Sequence, residues 1–600
     1  MIAKRALYCA LLASVLSGCG GGGEPSPSTE GQGAGGLTKS DFTDPLYPHQ
    51  WHLANSGQSN FSSEGGTPGI DLNIGNLFMH GSTGQGVKVM VLDDGIDIRH
   101  PDLAANVDSR RLFNFDTRAV DPDDPTPTNP EDAHGTAVAG IIAAVAENGI
   151  GGRGVAPEAR LGGANFLDCG PRCEAGDPKM TIEAFGGAPF SADSWVFNGS
   201  FGIAPPVPIE GDIDVEKAPI AGLANLRGGK GALLIKSAGN DFESFSVGGE
   251  DPKQCGPANQ HGLSCQNPSF DLTNTMPQVV VIGAVNARGV KSSYSTAGAA
   301  VMVAGLGGEY GRAELSSAAE AGPAIMTTDL SGCAMGYSRA GLEDSKYLND
   351  FNRPGTSINA QLNPQCDYIS SMNGTSASAP TVTGVVALML QANPQLTWRD
   401  IRRILVRTSR RVDAAQAPVT LALADGGYVA EPGWVRNGAG LWFSNWYGYG
   451  LVDATAAVDA ARATSTHLSG AMSSSRWMTD TPASALPIPV SSAAGLTRTL
   501  VAEATTVEAV QLRLAIRGDA RLGDLGIELI SPSGTRSVLM TAHNAFQATT
   551  VASQLTLASS AFYDEPAQGS WTLRIVDVNG RGDAGTQALL EHWSLRIYGH

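Results

Sequence analysis

The sequence predicts an α/β domain, three layers deep around a mainly parallel sheet, followed by an all-β sandwich or jelly roll. Three observations carry that expectation. Short apolar runs at residues 87–92, 232–235 and 279–285 have the length and uniform hydrophobicity of parallel strands buried on both faces. Segments rich in Ala, Val, Ile and Gly lie between them, the alternation that covers a sheet with helices. Late in the chain the pattern switches to apolar–polar alternation at 510–514, 526–530, 571–575 and 593–597, with turn signals such as Ser531-Pro532-Ser533-Gly534.

The chain has 600 residues, which fits two or three domains, and its 42% hydrophobic against 16% charged residues allow most of it to bury a core. The net charge of −18 argues against a nucleic-acid partner. It suits cationic substrates or bound cations, although acidity also serves solubility. At the N-terminus Lys4-Arg5 precede an apolar run over 6–16, too short to span a bilayer as a helix. The run ends Leu16-Ser17-Gly18-Cys19, which resembles a bacterial lipobox. Residues 1–19 are thus expected to be a lipoprotein-type signal, with Cys19 lipidated and the protein exported and held at a membrane of the cell envelope. An ordinary secretory cleavage site is the alternative. Fractionation of Cys19→Ala decides between them, since unchanged membrane association would remove the anchor. The Gly-rich stretch continues the leader as a flexible tether over 20–43.

Six cysteines remain beyond Cys9 and Cys19, an even number that reads as disulfides in an exported chain. Six allow fifteen pairings; nearest neighbours are expected, Cys169–Cys173, Cys255–Cys265 and Cys333–Cys366. No CxxC pair points to zinc.

Candidate chemistry follows in chain order. The run at 87–92 delivers Asp93-Asp94-Gly95 at a strand's C-terminal end, where open α/β sheets place their sites. His134-Gly135-Thr136 opens a helix rich in Ala, Val and Ile expected to reach Ala146. The run at 232–235 leads into Lys236-Ser237-Ala238-Gly239-Asn240. Ser376 sits in Asn373–Val382, NGTSASAPTV, where a loop becomes a helix whose near-helical spacing of Val382, Val385, Val386, Met389 and Leu390 runs to Asn393-Pro394. A serine at such a start has unpaired backbone N–H groups and the positive end of the helix dipole beside it. Each residue has a bland reading as turn, cap or core.

Together, the order Asp93, His134, Asn240, Ser376 resembles the subtilisin-like serine proteases, most closely the kexin/furin branch. Over 44–462 the motifs DPLYPHQWHL (44–53), TGQGVKVMVLDDGI (83–96), HPDL (100–103), HGT (134–136), GTSASAP (374–380), LTWRDI (396–401) and YGYGLVDA (447–454) share that character. Ser, Thr, Ala and Pro dominate 463–480, expected as a linker, and 481–600 resembles the β-sandwich P-domain of that branch. A carbohydrate- or cell-binding sandwich is the alternative.

The resemblance implies a serine endopeptidase in which Ser376 is the nucleophile, His134 the general base, Asp93 its orienting acid, and Asn240 an oxyanion donor. It implies that Ser200, Phe201 and Gly202 pair with substrate backbone and that Asp94 meets a basic side chain two residues before the cleaved bond. Where the branch carries an acid for the preceding residue, this chain reads Ile203-Ala204-Pro205-Pro206; Glu210, Asp212 and Asp271 are candidate substitutes. Cleavage after basic or paired basic residues is the favoured specificity. A structural calcium is implied at Asp44 and Asp102 with the loop residues Val145, Asn148, Ile150 and Gly152, as hard oxygen ligation requires; a second site is not supported. Between Cys19 and Asp44 there is no room for the family's folding prodomain, so an external chaperone or inhibitor partner, or unaided folding, is expected. The residues also leave open a broad-specificity degradative subtilisin and an inert surface-binding scaffold, and whether the insert over 305–365 is a lid.

Overall fold

The computed structural model describes residues 42–244, 255–312, 322–342, 349–465, 467–468, 472–579 and 587–600. The signal, Cys19 and nearly all of the expected tether lie outside these residues. Seven strands form a parallel sheet: β1 (Lys88–Asp93), β2 (Val107–Asn114), β3 (Arg160–Asn165), β4 (Val196–Gly199), β5 (Leu234–Ser237), β6 (Val279–Val285) and β7 (Val301–Leu306), in the spatial order β2-β3-β1-β4-β5-β6-β7. Strand β6 and the middle of β1 are apolar because both faces are covered: in β1, Val89 and Val91 enter one core while Met90 and Leu92 enter the other. The order reverses at β1, which opens a crevice at the carboxyl ends of the strands beside Asp93.

Helix α1 (His134–Ala143) and helix α2 (Thr375–Ala392) fill one face, α2 lying against α1 and across β4 to β7. A helix that touches partners all round needs no polar stripe, and α2 is buried continuously from Thr375 to Leu390. Gly384 permits one of its closest approaches, since a Cβ there would come within 2.4 Å of the Val155 side chain. Helices α3 (Trp398–Thr408) and α4 (Ala454–Ala463) pack beside it, α3 opened by a capping box between Thr397 and Asp400. The first helix ends at Ala143 rather than at Ala146. The backbone turns away there because Val145 N–H donates to the Asp102 carbonyl at 2.8 Å, starting the loop that returns to Asp44.

The described part of the insert over 305–365 joins the body. Strand β8 (Ile325–Thr328) pairs antiparallel with β9 (Tyr368–Met372), and the hydroxyls of Thr327 and Thr328 donate to the carbonyls of Ala137 and Thr136. Disulfides join Cys169 to Cys173, Cys255 to Cys265 and Cys333 to Cys366.

The C-terminal part is a sandwich of two antiparallel sheets. One contains Val507–Gly518, Ala552–Ser559 and Ala588–Gly599; the other contains Leu496–Ala502, Leu525–Ile530, Arg536–Met540 and Gly569–Asp577. Their inward residues, with Trp571 and Trp593 among the largest, form a core of their own. Ser473–Ser474 and Met478–Asp480 also pair with the last strand, so the sheet begins inside the stretch expected as a linker at 463–480. Strands of two or three residues are too short to show an apolar–polar alternation.

The sandwich is docked on the α/β part by buried polar contacts. Glu508 is clasped by the Arg399 guanidinium and accepts from His600, and Gln511 and Asn267 each donate across the boundary, to the carbonyls of Thr275 and Leu539.

Candidate active site

The crevice at the ends of β1 and β4 collects the four expected residues. Asp93, last in β1 and fully buried, lies with Oδ1 2.7 Å from His134 Nδ1 at the start of α1. Burial disfavours an imidazolium, but the Asp93 charge and hydrogen bond outweigh it and raise His134 to about 9. Asp94, expected to meet substrate, also holds the helix: its two oxygens accept from the N–H groups of His134 at 3.0 Å and Gly135 at 2.7 Å. Burial first, and then the neighbouring Asp93 charge, push Asp94 up to about 7.

Ser376 is the second residue of α2, reached through Gly374 at φ +91°. Its hydroxyl donates to the Ser200 carbonyl at 3.0 Å and makes no hydrogen bond to His134. Ser200 answers with its own hydroxyl, which donates to the Ser376 carbonyl at 2.9 Å. Pro380 explains why that carbonyl is free. An α-helix pairs a carbonyl with the N–H four residues on, and a proline at 380 has none to give Ser376. The backbone bond that Pro380 omits thus becomes a bond between Ser376 and Ser200.

Asn240 is exposed, and its amide oxygen is pinned by Thr375 N–H at 2.8 Å and Thr375 Oγ1 at 2.9 Å, which leaves its NH₂ as the outward donor. Phe201 and Gly202 follow Ser200 along one wall of a cavity of about 300 Å³ that runs from Ser376 and Asn240 to Asp241, Gln266, Asp271 and Asn274. Of the acids considered for this pocket, only Asp271 lines it. Glu210 instead accepts from Ser553 of the sandwich, and Asp212 caps the turn at Asp214. Two polar residues here escaped sequence reasoning, Asp241 and Lys236. Burial raises Asp241 to about 6. Lys236 was expected just after the apolar run at 232–235, whereas β5 extends through it to Ser237.

The expected calcium residues also converge. Asp44 and Asp102 are both buried, and burial raises both, Asp102 to about 7. Asp102 Oδ1 accepts from Asn148 at 2.8 Å and Asp44 Oδ2 from Glu147 N–H at 3.1 Å, but Asp44 Oδ1 and Asp102 Oδ2 are buried without a hydrogen-bond partner. Val145, Ile150 and Gly152 lie on the same short loop, and Gly151 bonds back to Leu46 N–H. Two orphaned carboxylate oxygens facing one carbonyl-rich loop fit a hard cation.

The pH dependence follows from His134. A general base works when deprotonated, so kcat/KM is expected to rise with pH through the raised His134 value, the limb lying above 6.5. Asp94→Asn removes one of the charges that raise it and should move the limb to lower pH, read from initial rates across pH 5–10. An unmoved limb would remove Asp94 from the electrostatics of the base.

Residues 84–450 match the subtilase family and residues 507–597 the proprotein convertase P-domain. The chain is 37% identical over 596 residues to the Aeromonas extracellular serine protease of Aeromonas sobria, covering 93% of this chain and 91% of that one. It is 36% identical over 563 residues to the microbial serine proteinase of Aeromonas salmonicida, covering 88% and 83%. The crystal structure of the complex of Aeromonas sobria serine protease and its chaperone superposes with a TM-score of 0.82 at 35% identity, over 93% of this chain and 95% of that one. With the family matched over most of its length and a P-domain behind it, this chain belongs to the subtilase family and is a serine-type endopeptidase.

Proposed function

We propose that the chain hydrolyses peptide bonds through an acyl-enzyme on Ser376, with His134 as base and then acid, Asp93 orienting it, and the Asn240 NH₂ and Ser376 N–H receiving the oxyanion. The observation that carries this is the 2.7 Å Asp93–His134 contact at the end of β1, the strand paired with the β4 that leads to Ser200, whose carbonyl holds the Ser376 hydroxyl. An oxyanion donor of this kind contributes about 10²–10³ in turnover. The Ser376 hydroxyl must turn from Ser200 to His134 for proton transfer. A substrate N–H that takes the Ser200 carbonyl would release it, which joins substrate pairing along Ser200, Phe201 and Gly202 to activation of the nucleophile. A fluorophosphonate probe should label Ser376 in the wild type and nothing in Ser376→Ala; an unlabelled wild type sinks the reading and favours an inert scaffold.

For specificity, the pocket beside Ser376 is rich in acceptors. The amide nitrogens of Gln266 and Asn274 are tied to the carbonyls of Pro205 and Pro268, which leaves both buried amide oxygens without partners, near Asp241. Side chains that carry donors, basic ones among them, suit it before the cleaved bond, and Asp94 beside His134 suits a basic residue one position earlier. A peptide-library profile distinguishes this from broad degradative cleavage, which would show no donor preference.

Calcium at Asp44, Asp102 and the 145–152 loop would supply a cross-link between the chain's first described segment and the loop after α1. Chelation is expected to lower the unfolding temperature and added calcium to restore it; an unchanged temperature removes the site. Export is proposed with the support of a relative named extracellular; the lipid anchor at Cys19 rests on the sequence of residues 16–19 alone. A folding chaperone is proposed on the strength of the relative crystallised with one. Full activity of the chain expressed alone would overturn that.

A further inference from the structure

The wall of the substrate pocket hides a cation. Lys236 is the third residue of β5, LIKS, and is 1% exposed. It does not line the cavity but lies behind it, with Nζ 2.9 Å from Asp271 Oδ2 and 2.5 Å from the Phe201 carbonyl. Its ammonium also lies 5.4 Å from the Phe201 ring centroid. Asp271 in turn is fixed, because its other oxygen accepts from Thr273 N–H at 3.0 Å. A buried lysine keeps its charge only with such partners, and a buried carboxylate likewise. The two ions therefore satisfy each other. Asp271, the one candidate acid that lines the pocket, faces substrate with its charge already matched from behind.

We infer that Lys236 is a specificity-determining residue, which neutralises Asp271 through the pocket wall and so removes most of the advantage a cationic side chain would gain before the cleaved bond. The inference rests on the pocket being the site for that side chain in the proposed endopeptidase. The pocket then selects by hydrogen-bond donors rather than by full charge. Asp241 remains as its uncompensated carboxylate, at the rim beside Asn240, to whose N–H it is bonded at 3.2 Å. Lys236 also holds the carbonyl of Phe201, which positions the segment after β4 that substrate pairs with.

The test compares kcat/KM for matched peptides with arginine or glutamine before the cleaved bond, with active sites counted by the fluorophosphonate probe. Lys236→Gln keeps a donor to Phe201 and removes the charge; the arginine-to-glutamine ratio should rise roughly tenfold or more. Asp271→Asn leaves the lysine charge uncovered, and the ratio should fall by a similar factor. The double variant restores neutrality and should return the ratio to within about threefold of wild type. If Lys236→Gln does not fold, Asp271→Asn and the double variant still decide. A ratio that stays constant across the labelled variants overturns the inference about Lys236, whereas a wild type that the probe does not label instead overturns the endopeptidase reading beneath it.

Discussion

His134→Ala is expected to lower kcat by about 10⁶-fold while the protein keeps its fold. The serine hydroxyl is a weak nucleophile at its own pKa, and in the proposed mechanism its base is His134, which the buried Asp93 carboxylate holds at 2.7 Å. His134 stands at the first position of α1 with its ring partly exposed, and the alanine at that position leaves the Asp94 bonds to the backbone of α1 intact. The loss is therefore chemical rather than structural. Steady-state hydrolysis of a peptide substrate, set beside an unchanged thermal unfolding profile, reads it. A variant that kept more than about one part in a thousand of the wild-type rate would mean that another group takes the proton.

The second large effect concerns stability. Glu508→Ala is expected to destabilise the protein by about 3–5 kcal/mol, the cost of removing one partner of a buried ion pair. Glu508 begins the long sandwich strand at Val507–Gly518 and is 1% exposed. Arg399 of α3 reaches it with Nε at 2.9 Å and Nη2 at 2.5 Å, Arg402 donates to its backbone carbonyl at 3.2 Å, and His600 Nδ1 lies 2.9 Å away. Although burial opposes ionisation, the Arg399 bond and charge hold the carboxyl below its usual range. Removing it takes from the buried Arg399 the carboxylate that clasps it. Thermal unfolding of both parts should move down together. A shift confined to the sandwich would show that the clasp does not couple it to the α/β part.

Burial was the property most open to sequence reading. Residues 279–285 and Asp93 fall where the apolar runs put them, because a strand covered on both faces is mostly apolar. The alternating segments lie inside the longer sandwich strands for the same reason, one face in and one face out. Asp93, His134, Asn240 and Ser376 were legible because each sits at a strand end or helix start with small residues around it. Ion pairs were not. Lys236 and Asp271 are 35 positions apart, and nothing local in either stretch announces the other. Asp94 was expected to face substrate, and its bonds to the start of α1 depend on where α1 begins in space, which no motif spacing records. The short strands at 473–474 and 478–480 were missed because two or three residues are too few to show an apolar–polar alternation.

The continuous burial of α2 has a kinetic consequence. Its amides from Val382 to Leu390 have no route to solvent except opening of the core around them, so their hydrogen exchange should be among the slowest in the molecule and should report global unfolding. Ser376 rides at the front of that same helix. The protease therefore cannot lose its nucleophile by fraying at the edge, and heat inactivation should track the opening of the whole α/β core.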